Sequence, residues 1–318
     1  MTAPRRAIGS SDLEVYPLSL GGNVFGWTAD RETSFDVLDR YAAAGGNFVD
    51  TADGYSAWVP GNTGGDSERI LGEWFDARGN RDQVVLATKV SQHPEFKGLA
   101  ADNIRRAADA SLERLKSDHI DLYYAHFDDA TVPLEETVGA LSELVDSGKV
   151  RAIGISNYSP ERIEEWFAIT EREGLHRAVA LQPHYNLVER SYEEKYRALA
   201  ERENLGVMPY FALAAGFLTG KYRDGVTVES ARAAGAAKYL DETGRSVLAA
   251  LDDVAAAHDA SVATIALAWL AAQPTITAPI ASARTLEQLP DLLASVTVEL
   301  TADELAALDG ASEAAKAA

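Results

Sequence analysis

The 318-residue chain contains no cysteine. Disulfides and thiolate metal sites are thereby excluded, and such usage suits a reducing cytoplasm, the compartment expected here. Basic residues are scarce: 29 Lys and Arg stand against 49 Asp and Glu, a formal net charge of -20. A surface of that sign repels nucleic acid and anionic membranes. A bound polyphosphate therefore has to be held by local cations and backbone N–H groups. No apolar run approaches the roughly 20 residues of a membrane span. The opening stretch MTAPRRAIGSSDLEVYPLSL has arginines but lacks the apolar centre of a signal peptide. No Pro/Gly/Ser-rich linker interrupts the sequence, so one domain over residues 1–318 is expected.

Phosphate-loop motifs are missing too. After the first strand the turn reads LGGNVFG, which does not match G-x-G-x-x-G. GFLTGKY (216–222) has the wrong glycine spacing for a P-loop and offers Tyr222 where a magnesium-binding hydroxyl belongs. An open dinucleotide-binding sheet is therefore disfavoured. Histidines number six, and only His126 and His184 fall near a predicted C-terminal strand end. No H-x-H pair occurs, which argues against a metal-hydrolase barrel. Asp128 and Asp129 beside His126 are its best remaining support, and no metal is expected.

What is present is a regular alternation. Continuous apolar runs at 47–50, 84–90, 119–126, 150–156, 178–183, 206–210 and 276–281 read as buried strands, with a less regular one at 14–21. Amphipathic helix patterns cover 32–45, 66–79, 101–116, 133–148, 159–174 and 191–206. Asp66 and Ser67 stand in capping positions, Ser159-Pro160 reads as N-cap and N1, and glycines stop several helices. Buried strands alternating with helices imply a parallel α/β sheet. About eight such units in about 300 residues predict a (β/α)8 TIM barrel, with long loops (56–68 and 213–235) on its C-terminal face.

Three strands end on polar residues: Asp50 after FV, Lys89 in LATKV, and His126 in DLYYAHFDD; Tyr55 follows in the turn after Asp50. Singly, each has an ordinary reading: a cap, a snorkelling lysine, a core histidine, a loop tyrosine. A barrel makes them converge. A phenol with a pKa near ~10 is a poor acid at neutral pH, and a nearby ammonium pulls that value down. Asp50 then holds the ammonium, and the imidazole orients a carbonyl oxygen. The set protonates an oxygen but carries no hydride, so a cofactor has to bring one.

The motifs FVDTADGY, ATKV, DLYYAHFDD, GKVRAIGISNYS, LQPHYNLVER, GFLTGKY and SARTLEQL occur in one order across residues 10–310. In them the chain resembles an aldo-keto reductase of the bacterial branch related to the potassium-channel β-subunits. The resemblance implies a (β/α)8 barrel, NADPH/NADP+ as cofactor, a small-molecule carbonyl substrate and a catalytic tetrad of Asp50, Tyr55, Lys89 and His126. By the same resemblance Ser156, Asn157 and Gln182 hold the nicotinamide carboxamide and Tyr210 stacks on its ring. Leu213, Gly216 and Lys221 match the pyrophosphate loop. Ser282, Arg284 and Gln288 match the adenosine 2′-phosphate site. The chain departs from the family at Phe211, where a hydroxyl is usual, and at Leu292, where an asparagine faces the adenine. Phe25, Trp27, Trp58 and Phe127 are candidates for the substrate-pocket wall. The expected function is NADPH-dependent reduction of aldehydes and ketones, the alternative a cofactor-binding regulatory subunit with little turnover.

Overall fold

A computed structural model describes residues 4–317; Ala318 and the first three residues of the stretch read for a signal peptide lie outside it. Eight strands form one parallel sheet: β1 (Ser19–Gly21), β2 (Phe48–Asp50), β3 (Val85–Val90), β4 (Ile120–Ala125), β5 (Val150–Ser156), β6 (Ala178–Gln182), β7 (Gly206–Val207) and β8 (Ile280–Ala281). Each of β2 to β7 pairs with its predecessor in sequence, and β8 pairs with β1, leaving β7 and β8 as the outer strands. The sheet curls until its outer edges touch: Thr277 N–H donates to the Val207 carbonyl at 2.9 Å, and Ile280 N–H to that of Pro209 at 3.0 Å.

Every residue of β3 and β4 is buried, as expected of strands covered on both faces. Alternate side chains divide between two apolar clusters. Phe48, Ala87, Leu122, Tyr124, Ala180 and Met208 belong to the smaller one, inside the curl. An antiparallel hairpin of Arg6–Ala7 with Glu14–Val15 adds Ile8, Leu13 and Val15 to it. This hairpin plugs the end opposite Asp50. Its Gly9, at φ +54, lies so close to the Val179 carbonyl that a Cβ would sit 2.3 Å away. The larger cluster lies between the strands and the surrounding helices.

The helices after the first five strands are α1 (Arg31–Ala43), α2 (Asp66–Arg78), α3 (Ala101–Leu115), α4 (Leu134–Asp146) and α5 (Pro160–Glu173). Ser159 caps α5 with Pro160 following, as its sequence requires. Other details differ from expectation. The N-cap of α2 is Gly65 in a left-handed conformation, and Ser67 points inward instead, donating to the Gly22 carbonyl at 2.8 Å. The helix expected over 191–206 breaks at Tyr196, whose hydroxyl donates to the Tyr158 carbonyl at 3.1 Å. The stretch 14–21 divides around Pro17 into a hairpin strand and β1; ladder pairing of β7 and β8 shortens beside Pro209 and Pro279, which have no N–H to donate. Among the described residues no single helix is long and apolar enough to cross a membrane.

Candidate active site

Parallel register brings the C-terminal strand ends to one level. Gly21 lies opposite Asp50, Asp50 opposite Ala87, Lys89 opposite Tyr124, and Ser156 opposite Gln182. Polar side chains at that level face a channel of about 600 Å³. Asp50, Tyr55 and His126 line it, with Lys89 fully buried beneath.

Lys89 is the centre of the site. Its Nζ donates to Asp50 Oδ1 at 2.6 Å, to the Thr51 carbonyl at 2.6 Å and to the Tyr55 hydroxyl at 3.1 Å. All three protons of the ammonium are thus placed. Burial works against its charge, but Asp50 and Tyr55 outweigh burial and hold its pKa above the ordinary lysine value. For Tyr55 the balance goes the other way. Burial pushes the phenol above its ordinary value, while Lys89 pulls it down without overcoming burial. The expected lowering by lysine is present as a contribution and not as the net direction. His126 meets Tyr55 edge-on, ring centroids 6.0 Å apart. Burial, reinforced by the Lys89 charge, holds the imidazole well below its ordinary pKa, so it is neutral.

All ten residues expected at the cofactor line the same channel: Ser156, Asn157, Gln182, Tyr210, Leu213, Gly216, Lys221, Ser282, Arg284 and Gln288. Several also engage one another. Gln182 Nε2 donates to Asp50 Oδ2 at 2.8 Å, Tyr210 OH to Asn157 Oδ1 at 2.8 Å, and Ser282 Oγ to Asn23 Oδ1 at 2.7 Å. The Gln288 side chain accepts from the Arg284 N–H at 2.9 Å. Of the expected aromatic wall, Trp58 and Phe127 line the channel, each about half-exposed. Trp27 stands behind Trp58, edge-on at 5.5 Å. Phe25 does not take part: it is fully buried in the core, and its carbonyl accepts from Ser56 Oγ at 2.7 Å. Phe211 holds a left-handed backbone at φ +53 with its ring half-exposed at the channel, edge-on to Tyr210 and His184. Leu292 is buried and also lines the channel.

The model of the aldo/keto reductase family matches residues 17–313. An uncharacterized oxidoreductase, YrpG, of Bacillus subtilis (strain 168) is 36% identical over 313 residues, covering 95% of this chain and 94% of that protein. Norsolorinic acid reductase B of Aspergillus parasiticus is 32% identical, over 97% of this chain and 84% of its own. Protein tas of Escherichia coli (strain K12) is 32% identical, over 95% of each. The chain belongs to the aldo/keto reductase family.

Proteins of the aldo/keto reductase family generally use nicotinamide cofactors, and the same channel carries cations that such a group's phosphates would need. Lys221 is pushed below its ordinary pKa by burial and by the neighbouring charges of Arg284 and Arg232. Arg232, which sequence reasoning missed, is depressed by its own burial and then by Arg284; one terminal nitrogen has no hydrogen-bond partner. Asp291 also lines the channel, but none of these three cations is ion-paired among the described residues, and crowded unpaired cations fit an anionic ligand. No sequence signal pointed to Arg232, which sits in an irregular segment far from any strand end.

A second buried cluster also escaped notice in this aldo/keto reductase. Asp53 is wholly buried, and neither carboxyl oxygen has a hydrogen-bond partner. Burial, followed by the charge of Glu68, pushes its pKa up to about 8. Glu68 takes the available partners, Arg114 at 2.7 Å and Thr88 at 2.6 Å. Asp128 and Asp129, the remaining support for the disfavoured metal reading, are engaged elsewhere. Asp128 pairs with Arg162 at 2.9 Å, and Asp129 accepts the Leu99 N–H at 3.0 Å. Among the described residues no group of His, Asp and Glu could hold a metal ion.

Proposed function

We propose that the chain is an NADPH-dependent carbonyl reductase on a closed (β/α)8 barrel, acting on aldehydes and ketones with Tyr55 as proton donor. One observation carries this reading: the Lys89 ammonium is buried between Asp50 at 2.6 Å and the Tyr55 hydroxyl at 3.1 Å, at the foot of a channel of about 600 Å³. The relative named norsolorinic acid reductase B supports a reductive direction.

When bound, the cofactor supplies the hydride for the carbonyl carbon. Ser156, Asn157, Gln182 and Tyr210 would hold its nicotinamide end, and Lys221, Arg232, Arg284 and Ser282 would hold its phosphates. Tyr55 gives its proton to the carbonyl oxygen. Lys89 stabilises the phenolate left behind, and Asp50 keeps the ammonium charged and aimed. Neutral His126 donates a hydrogen bond that orients the carbonyl. The half-exposed aromatic rim at Trp58 and Phe127 favours apolar or aromatic substrates.

Steady-state loss of NADPH absorbance with a panel of aldehydes and diketones tests the proposal. Turnover that Tyr55→Phe reduces by roughly 10²–10⁴-fold supports it. Tight NADPH binding with no turnover above background would replace it with the cofactor-binding subunit. Arg284→Ala is expected to weaken NADPH far more than NADH.

A further inference from the structure

We propose that Trp27 is a positioning residue for the cofactor's phosphates: its indole carries the Arg232 guanidinium over the channel and ties the phosphate end to the wall of the proton-donor pocket. This rests on the cofactor reading above.

Arg232 is mostly buried, yet it forms no ion pair among the described residues, and one of its terminal nitrogens is unpartnered. A buried guanidinium in that state needs some other group to hold it in place. The group in contact is an indole: the guanidinium carbon lies 5.4 Å from the Trp27 ring centroid, within cation–π range. Trp27 does not line the channel, so whatever it does for a ligand it does through a neighbour.

Trp27 is also well anchored. The Trp27 N–H donates to the Val24 carbonyl at 3.1 Å, and Asn62 Nδ2 spans the Gly26 and Ser56 carbonyls at 3.0 Å each. The indole stands edge-on to Trp58 at 5.5 Å, and Trp58 in turn contacts Tyr55 at 6.4 Å. A continuous contact path therefore runs Arg232–Trp27–Trp58–Tyr55. Arg232 reaches the channel from an irregular segment between residue 222 and the helix starting at Ala233, where no regular structure fixes its side chain. The anchored indole supplies the missing constraint, so that less freedom is lost when an anion arrives.

The experiment is calorimetric titration of the full-length protein with NADP+ and, separately, with inorganic pyrophosphate. The variants are Trp27→Leu, Trp27→Phe, Arg232→Met and the Trp27→Leu/Arg232→Met pair. Trp27→Leu should raise Kd for both probes by roughly 3- to 10-fold, and Trp27→Phe, which keeps a π face, by less. In the Arg232→Met background Trp27→Leu should add nothing, because the indole acts through the guanidinium. An equal penalty in both backgrounds would make Trp27 a merely structural residue and overturn the inference, as would unchanged affinity in Trp27→Leu. Should Trp27→Leu fail to fold, Trp27→Phe in the two backgrounds carries the same comparison. Failure of the unmodified protein to bind NADP+ at all would instead strike at the cofactor reading.

Discussion

Gln182 donates its side-chain amide to Asp50 Oδ2 at 2.8 Å, on the carboxylate whose other oxygen receives Lys89. The family resemblance implies that Gln182 holds the cofactor, and in the structure it is also a second anchor of the Asp50 carboxylate. Replacing it with leucine leaves Asp50 Oδ2 buried without that partner. A hydrogen bond to a charged group contributes about 1.5–3 kcal/mol, so kcat should fall by roughly 10- to 100-fold. A purely cofactor-holding Gln182 would instead show its effect in the Kd for NADPH with kcat retained. Binding and single-turnover measurements on Gln182→Leu separate the two.

Lys89 and Asp50 stand or fall together. Lys89→Met leaves a carboxylate buried without its counter-ion, which costs about 3–5 kcal/mol. Adding Asp50→Asn removes that orphaned charge, so the double variant should regain much of the lost stability in urea unfolding. It should regain no activity, since the phenol still lacks its ammonium. Stability that falls further in the double variant would contradict the pairing.

The pH profile follows from the directions of the two shifts. His126 is held neutral well below its ordinary range, so no acid limb attributable to it is expected near pH ~6.5. Tyr55 is raised, so reduction should persist until the phenol ionises above ~10. Log kcat/KM plotted against pH should therefore be level across neutrality and fall only on the alkaline side. An inflection at about 6.5 that disappears in His126→Gln would show the imidazole to be titrating after all.

Asp53 predicts a pH-dependent stability of unusual sign. Its carboxyl titrates at about 8 in the folded chain, against roughly 3.9 when unfolded. Between those values the folded state holds a proton that the unfolded state has lost. Stability therefore decreases as pH rises from about 4 to about 8, by at most about 1.4 kcal/mol per unit. It levels off outside that window. Asp53→Asn removes this dependence, so the difference in unfolding free energy between variant and parent should grow with pH across the window. Parallel curves would mean that Asp53 is ionised in the fold.

Much of this protein is written locally. Short apolar runs bounded by turn residues encode strands, and 3.6-residue periodicity encodes helices, so β3, β4, β5 and α1 to α5 lie where their patterns place them. Strand-end polarity is local as well, and that makes Asp50, Lys89 and His126 legible in the sequence. What the pattern left open depends on contacts between distant parts of the chain. Gln182 reaches Asp50 across 132 residues only because the sheet curls far enough to bring β6 and β2 to the same channel. Arg232 comes to rest on Trp27 through an irregular segment with no periodicity to read. Phe25 goes to the core while Trp58, in a neighbouring loop, goes to the rim, a choice set by which loop residues face the packed helices. The net direction of the Tyr55 shift was likewise undecided: sequence shows that a lysine is near, but only tertiary burial sets how much desolvation its charge must overcome. The sequence by itself determined which polar residues stand at the strand ends, and the tertiary structure decided their electrostatics and their supports, because both depend on what the fold excludes from water.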